Sequence, residues 1–96
     1  MLWERYYDEQ YEMLQKMKPR IVGHFDLIRL LSDEPNRDPR DWKGVWTRIV
    51  RNLNLVREQG GLVEINTSAL RKGLREPYPV RSICEVCDSL HARLLD

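Results

Sequence analysis

The spacing of apolar positions along this chain alternates between helix-like and strand-like periods. Trp3, Tyr7, Tyr11, Leu14 and Met17 recur every three or four residues, the stripe of a helix with one buried face. Lys18-Pro19 closes that helix, because the residue before a proline is pushed out of the helical region. Residues 20–24 then read as a short β-branched strand, and 25–31 as a short helical turn. Residues 32–38, rich in Ser, Asp, Pro and Asn, predict a loop. Asp38-Pro39-Arg40-Asp41 predicts a helix start, with an aspartate cap, proline at the first helical position and an acid near the positive end of the helix dipole. Trp42, Val45, Trp46, Ile49, Val50, Leu53 and Val56 continue it at helical spacing as far as residue 59. Gly60-Gly61 stops it, one glycine taking the left-handed cap position. Residues 62–66 predict a second strand and 67–78 a polar loop with one helical turn. Residues 79–95 predict a last helix with Ile83, Cys84, Cys87, Leu90 and Leu94 on one side.

The resulting order is helix, strand, helix, strand, helix. That alternation implies an α/β chain whose two strands lie parallel, joined by a right-handed crossover through the 42–59 helix. A difficulty follows. Two parallel strands are both edges, and parallel sheets are normally covered on both faces. No internal repeat or low-complexity stretch relieves this. The pattern therefore predicts a slice of a larger barrel. Helix faces carrying Tyr7, Tyr11, Trp42 and Trp46 would lack partners, and the isolated chain would be weakly stable.

Composition narrows the function classes. At 96 residues the chain holds at most one domain, and 42% apolar residues exclude a disordered chain. A net charge of +1, with acids and bases interspersed, argues against nucleic-acid binding, which calls for a clustered basic stripe. Met1-Leu2-Trp3-Glu4-Arg5 opens directly into a charged amphipathic pattern unlike a signal peptide. No apolar run approaches the roughly 20 residues of a membrane span. Two cysteines three residues apart do not form a secreted disulfide framework. The expectation is a cytoplasmic chain with no nucleic-acid or membrane partner.

The candidate chemistry lies at the ends of the two strands, where parallel α/β folds carry it. Arg20-Ile21-Val22-Gly23-His24-Phe25-Asp26-Leu27-Ile28-Arg29 and Gly61-Leu62-Val63-Glu64-Ile65-Asn66-Thr67-Ser68-Ala69-Leu70-Arg71 share one design. Each runs from apolar residues to a polar group and then delivers an arginine. Two readings are open at His24: a ligand for Zn, Mn or Fe with Asp26 as ligand or orienter, or a histidine bonded to a local carbonyl. Glu64 and Asn66 share a strand face. They could ligate, orient or bind substrate, or Glu64 could pair with Arg29 or Arg71. Both arginines suit a phosphate bidentately, and both could equally be solvated surface charges. Cys84-Glu85-Val86-Cys87 with His91 has the look of a zinc half-site. The cysteines share the face of Ile83 and Leu90, however, which reads as core.

The segments Gly23-His24-Phe25-Asp26-Leu27-Ile28-Arg29 and Glu64-Ile65-Asn66-Thr67-Ser68-Ala69-Leu70-Arg71-Lys72-Gly73 together resemble histidinol-phosphatases of the PHP (polymerase and histidinol phosphatase) family. Tyr6-Tyr7-Asp8-Glu9-Gln10-Tyr11-Glu12-Met13-Leu14 and Arg75-Glu76-Pro77-Tyr78-Pro79 resemble its fungal branch. The likeness runs from about residue 6 to 85, leaving 86–96 divergent. The resemblance implies a distorted (β/α)7 TIM-like barrel with a trinuclear metal centre. It implies hydrolysis of L-histidinol phosphate to L-histidinol and phosphate, in histidine biosynthesis. His24 matches the metal-binding histidine of the family's Gly-His-x-Asp motif, and Arg29 and Arg71 match its substrate-phosphate arginines. Asp26, Glu64 and Asn66 fall beside the site without an assigned role. The family's His-x-His on the first barrel strand has no counterpart here, and Cys87-Asp88-Ser89-Leu90-His91 does not follow its downstream Asp-x-His. The expectation is an internal piece of a phosphomonoesterase, inactive alone. The alternatives are another PHP-type phosphoesterase, or a truncated or spliced chain that acts at most through interactions.

Overall fold

The computed structural model describes residues 2–95. Helix α1 (Leu2–Met17) leads into strand β1 (Ile21–Val22) and a single-turn helix α2 (Ile28–Leu31). A 3₁₀ turn (Pro39–Asp41) precedes the long helix α3 (Lys43–Glu58), which feeds strand β2 (Leu62–Glu64). Helix α4 (Ser68–Arg71), helix α5 (Arg81–Ser89) and strand β3 (Arg93–Leu95) complete the chain. The sheet has the order β1-β2-β3 and is parallel throughout. Ile21 pairs with Leu62 and Val22 with Val63. Leu62, Val63 and Glu64 pair with Arg93, Leu94 and Leu95.

The parallel pairing agrees with the sequence pattern, but the count of strands does not. Residues 79–95 are not one helix. Helix α5 ends at Ser89, and the chain turns at His91 into a third strand. His91 adopts φ 60, the left-handed position that usually falls to glycine. The His91 N–H donates to Asp88 O (3.1 Å) and the Ala92 N–H to Cys87 O (2.8 Å), the paired bonds of a Schellman cap. Spacing did not reveal this stop, because histidine carries no turn signal. Leu94 sits on β3 rather than on the helix, and β2 becomes a central strand instead of an edge. The glycine stop of α3 has the same geometry: Gly60 at φ 72 donates to Arg57 O and Gly61 to Val56 O.

Two further expectations need correction. Asp38 does cap, accepting from the Arg40 N–H at 3.0 Å, but it caps a separate 3₁₀ turn. Trp42 leaves helical geometry between that turn and α3. Its ring meets Trp3 edge-on at 5.0 Å and lies under the Arg37 guanidinium. The aromatic faces are not without partners either. Tyr7 is fully buried, Trp42 and Trp46 pack against the core, and Tyr11 stacks with Arg51 at 4.2 Å.

One apolar core joins α1, α3 and α5 to a single face of the sheet. Trp3, Tyr7 and Leu14 meet Val45, Ile49, Leu53 and Val56, with Ile83 and Cys87 from α5. Val22 and Val63 supply the sheet's share, and Leu94 packs beside them. Strand side chains alternate, so Ile21, Leu62, Glu64 and Arg93 lie on the opposite face. Ile21 there is 48% exposed and Arg93 is exposed. Polar contacts lock α1 to α3. Asn52 Nδ2 donates to Tyr7 O and to Gln10 Oε1, and Arg48 bridges Glu4 and Asp8. Among the described residues, no helix is long and apolar enough to cross a membrane.

The His91 cap yields the first prediction. A left-handed residue with a Cβ costs roughly 1 kcal/mol relative to glycine. His91→Gly should therefore raise the urea midpoint, by up to about 1 kcal/mol of stability. His91→Val, branched at Cβ, should lower it. Unchanged midpoints in both variants would show that the cap geometry is not as described.

Candidate functional site

The polar groups at the carboxyl ends of β1 and β2 meet at one rim. Gly23 follows β1 and lies beside Glu64, the last residue of β2. A Cβ on Gly23 would come within 3.3 Å of Glu64 Oε1, so the glycine leaves the room in which that carboxylate sits. His24 then takes φ 50, a left-handed conformation uncommon for a residue with a side chain. The turn is secured from several sides. The His24 carbonyl accepts from the Leu27 N–H at 3.0 Å, and Phe25 O accepts from Gln10 Nε2 at 2.8 Å and Tyr6 Oη at 3.2 Å. This over-determination holds a strained residue in place.

Asn66 ties the rim together. Its Oδ1 accepts the Ser68 N–H at 2.8 Å. Its Nδ2 faces Glu64 Oε1 at 3.1 Å and His24 Nε2 at 3.4 Å. The Asn66 backbone pairs with Tyr78 in both directions, at 2.7 and 2.9 Å. The Tyr78 ring in turn lies edge-on against the His24 imidazole, 5.3 Å between centroids. His24, Glu64 and Asn66 are thus one cluster, half-buried and open to solvent.

Asp26 and Arg29 lie beneath the rim rather than on it. Each is 1% exposed. Arg29 Nη1 donates to Asp26 Oδ2 (3.3 Å) and to Pro77 O (2.6 Å), and Nη2 donates to Glu76 O (2.7 Å). The guanidinium also lies 5.4 Å from the Tyr78 ring centre. Asp26 Oδ2 accepts the Val80 N–H as well, at 3.0 Å. In this arrangement Arg29 does not face the rim opening; together with Asp26 it clamps the 76–80 segment that carries Tyr78. Arg71 ends α4 and is exposed. Glu64 is bonded to Asn66 and to neither arginine among the described contacts. Tyr78, Tyr6 and Gln10, which shape the His24 turn, were missed in the sequence, because helical spacing or loop position hides their partners.

The cysteines do not join this site. Cys87 is buried in the core, and burial pushes its thiol up to about 12 and raises that of Cys84. Among the described residues, no group of three or more His, Cys, Asp or Glu side chains is placed to hold a metal ion. His24 and Glu64 nevertheless offer an imidazole nitrogen and a carboxylate side by side, donor types that zinc, manganese and iron all accept.

The buried pair generates two expectations. Burial pushes the Asp26 carboxyl up to about 6, against the opposing pull of Arg29 and of the Val80 N–H. The folded chain therefore binds this proton more tightly than the unfolded chain does. The stabilisation is full below the ordinary value of 3.8 and is lost as pH rises through about 6. Wild type should lose up to ~3 kcal/mol more than Asp26→Asn across that window. Parallel pH profiles of the two denaturation curves would remove the basis for this. Separately, Arg29→Met leaves buried Asp26 without its counter-charge and two part-buried carbonyls without their donor, and should cost about 3–5 kcal/mol in chemical denaturation. A loss below about 1 kcal/mol would mean that the clamp does not carry the 76–80 segment.

No protein-family model matches the chain, and no solved structure matches it. Two curated relatives do. The histidinol-phosphatase of Saccharomyces cerevisiae is 39% identical over 101 aligned residues, which cover 84% of this chain and 30% of that protein. The probable histidinol-phosphatase of Schizosaccharomyces pombe is 39% identical over 90 residues, covering 93% of this chain and 29% of that protein. The chain thus spans about 30% of the length of the curated relatives it matches. By sequence, then, this chain is a relative of the yeast histidinol-phosphatases over most of its own length.

Proposed function

We propose that this chain is part of a metal-dependent histidinol-phosphatase, which hydrolyses L-histidinol phosphate to L-histidinol and phosphate in cytoplasmic histidine biosynthesis. The observation that carries the reading is the rim. The two segments that resemble the family bring His24, Glu64 and Asn66 together at parallel strand ends, and the relatives carry the same activity in their names. The ligand is a small phosphate monoester. His24, and with it Glu64, would hold a divalent ion (Zn, Mn or Fe) in a trinuclear centre. Catalytic zinc typically takes three protein ligands, so further ligands would come from outside these 96 residues. Such an ion neutralises phosphoryl charge and activates water. Exposed Arg71 would bind the phosphoryl oxygens, its planar fork matching two of them. Asp26 and Arg29 would keep the Tyr78 segment, and through it the His24 ring, in place; Arg29 would reach phosphate only after releasing Glu76 and Pro77.

The fold supports a barrel setting. The strands follow one another in sequence order, and α1, α3 and α5 cover one face only. In a doubly wound sheet helices cover both faces, whereas in a (β/α) barrel they lie outside and the inner face meets other strands. We propose that β1, β2 and β3 form an arc of a distorted (β/α)7 barrel, with Ile21, Leu62, Glu64 and Arg93 turned inward. On that reading the chain alone is inactive.

Phosphate release with Mn²⁺ or Zn²⁺ tests the proposal, for the 96-residue chain and for a version extended to the relatives' length. No turnover is expected from the chain alone. The extended protein should hydrolyse histidinol phosphate faster than nucleoside monophosphates. In it, His24→Ala should lower kcat by at least about 100-fold, more than loss of an outer-shell partner costs, and Arg71→Ala should mainly raise KM. Faster turnover of nucleoside monophosphates would assign a different phosphoesterase. Turnover by the 96-residue chain itself would overturn the incomplete-barrel reading.

A further inference from the structure

Asn66 lies where its amide can decide which nitrogen of His24 carries the proton. The orientation of that amide is not free. Its Oδ1 is spent on the Ser68 N–H at 2.8 Å, and its backbone is fixed on both sides by Tyr78. The NH₂ group therefore points at the rim, 3.1 Å from Glu64 Oε1 and 3.4 Å from His24 Nε2. An NH₂ group only donates. Glu64 accepts with a carboxylate oxygen, and the imidazole can accept only with a bare nitrogen. Tyr78 meets the ring edge-on, 5.3 Å between centroids, and the His24 backbone stands at φ 50.

We propose that Asn66 is a positioning residue: it sets neutral His24 as the Nδ1–H tautomer, with the Nε2 lone pair turned to the rim beside Glu64. The amide then holds the two lone pairs that a divalent cation would take. With no cation bound, the NH₂ group keeps a nitrogen and an oxygen donor aimed at one point and stops the ring from presenting an N–H there. This deepens the reading of the rim as a metal site and rests on it for its purpose. The tautomer itself is a property of the chain without metal. The assignment is of consequence because a ring protonated at Nε2 would have to shed or move that proton before it could ligate through the rim-facing Nε2.

The chain suits a direct test, since it holds two histidines in all, His24 and the exposed His91. Long-range ¹H–¹⁵N spectra of the ring nitrogens, at a pH where both imidazoles are neutral, report the tautomer. The bare and protonated nitrogens resonate far apart. His24 should appear as one form, protonated at Nδ1, while His91 serves as the untethered reference. Asn66→Asp keeps an oxygen for the Ser68 N–H but removes the donor, so His24 should turn over to the Nε2–H form. Asn66→Ala should leave a mixture like that of His91. Backbone amide signals of Ser68 and Tyr78 show whether each variant keeps the fold. An Nε2–H form in wild type would overturn the proposal, and so would an unchanged ring spectrum in a folded Asn66→Asp. A Zn²⁺ titration of wild type separates the two claims. A shift at Nε2 with Nδ1 still protonated supports the tautomer and the metal reading together. An Nδ1–H ring that ignores Zn²⁺ upholds the role of Asn66 and leaves His24 without its metal role.

Discussion

The rim depends on a buried ion pair. Asp26 and Arg29 stand three residues apart just after β1, and both are out of water. Removing two charges from solvent is expensive, and hydrogen bonds to the buried groups offset part of that cost. Here Arg29 donates to the carbonyls of Glu76 and Pro77, and Asp26 Oδ2 accepts from the Val80 N–H, while Asp26 Oδ1 has no partner among the described residues. The cost of burial is thereby converted into a specification: the 76–80 segment has one place to lie. That segment carries Tyr78, which bridges Asn66 and packs on His24. Three parts of the chain distant in sequence are thus referred to one pair of charges.

The second constraint is one-sidedness. All three larger helices bury their apolar stripes against the same sheet face, through Val22, Val63 and Leu94. The opposite face carries Glu64 and Arg93 among aliphatic residues, too polar for a dry helix interface and too apolar for simple exposure. On the proposed barrel reading, this mixed face would be the one turned inward. Among the described residues β1 and β3 are the edges of the sheet, and edge strands are where further strands can add.

Chemistry at the rim follows from these constraints. A left-handed histidine is a costly choice, and it is held by Leu27, Tyr6 and Gln10 acting on the carbonyls at the turn. What the strain achieves is direction: the ring leaves the line of β1 and meets the neighbouring strand's Asn66. Gly23 contributes by what it lacks, since any Cβ there would crowd Glu64.

Much of this was legible from the residues alone. Period fixed α1, α3 and the parallel pairing of β1 with β2, because those stripes are long or bounded by proline and glycine. His24, Glu64 and Asn66 could be placed at strand ends by counting, and their resemblance to a known family came from the same letters. Tertiary structure decided the rest. Whether Arg29 faces solvent or the interior depends on the carbonyls of Glu76 and Pro77, nearly fifty residues away, and no local pattern encodes that distance. The strand at Arg93–Leu95 required the helix to stop at a left-handed His91, a conformation that a histidine does not announce. The orientation of Asn66 came from Ser68 and Tyr78 together. Sequence determined which groups this protein has to work with, through periodicity and backbone preference; long-range packing determined which of them face one another, because only there do buried charges and carbonyls find their partners.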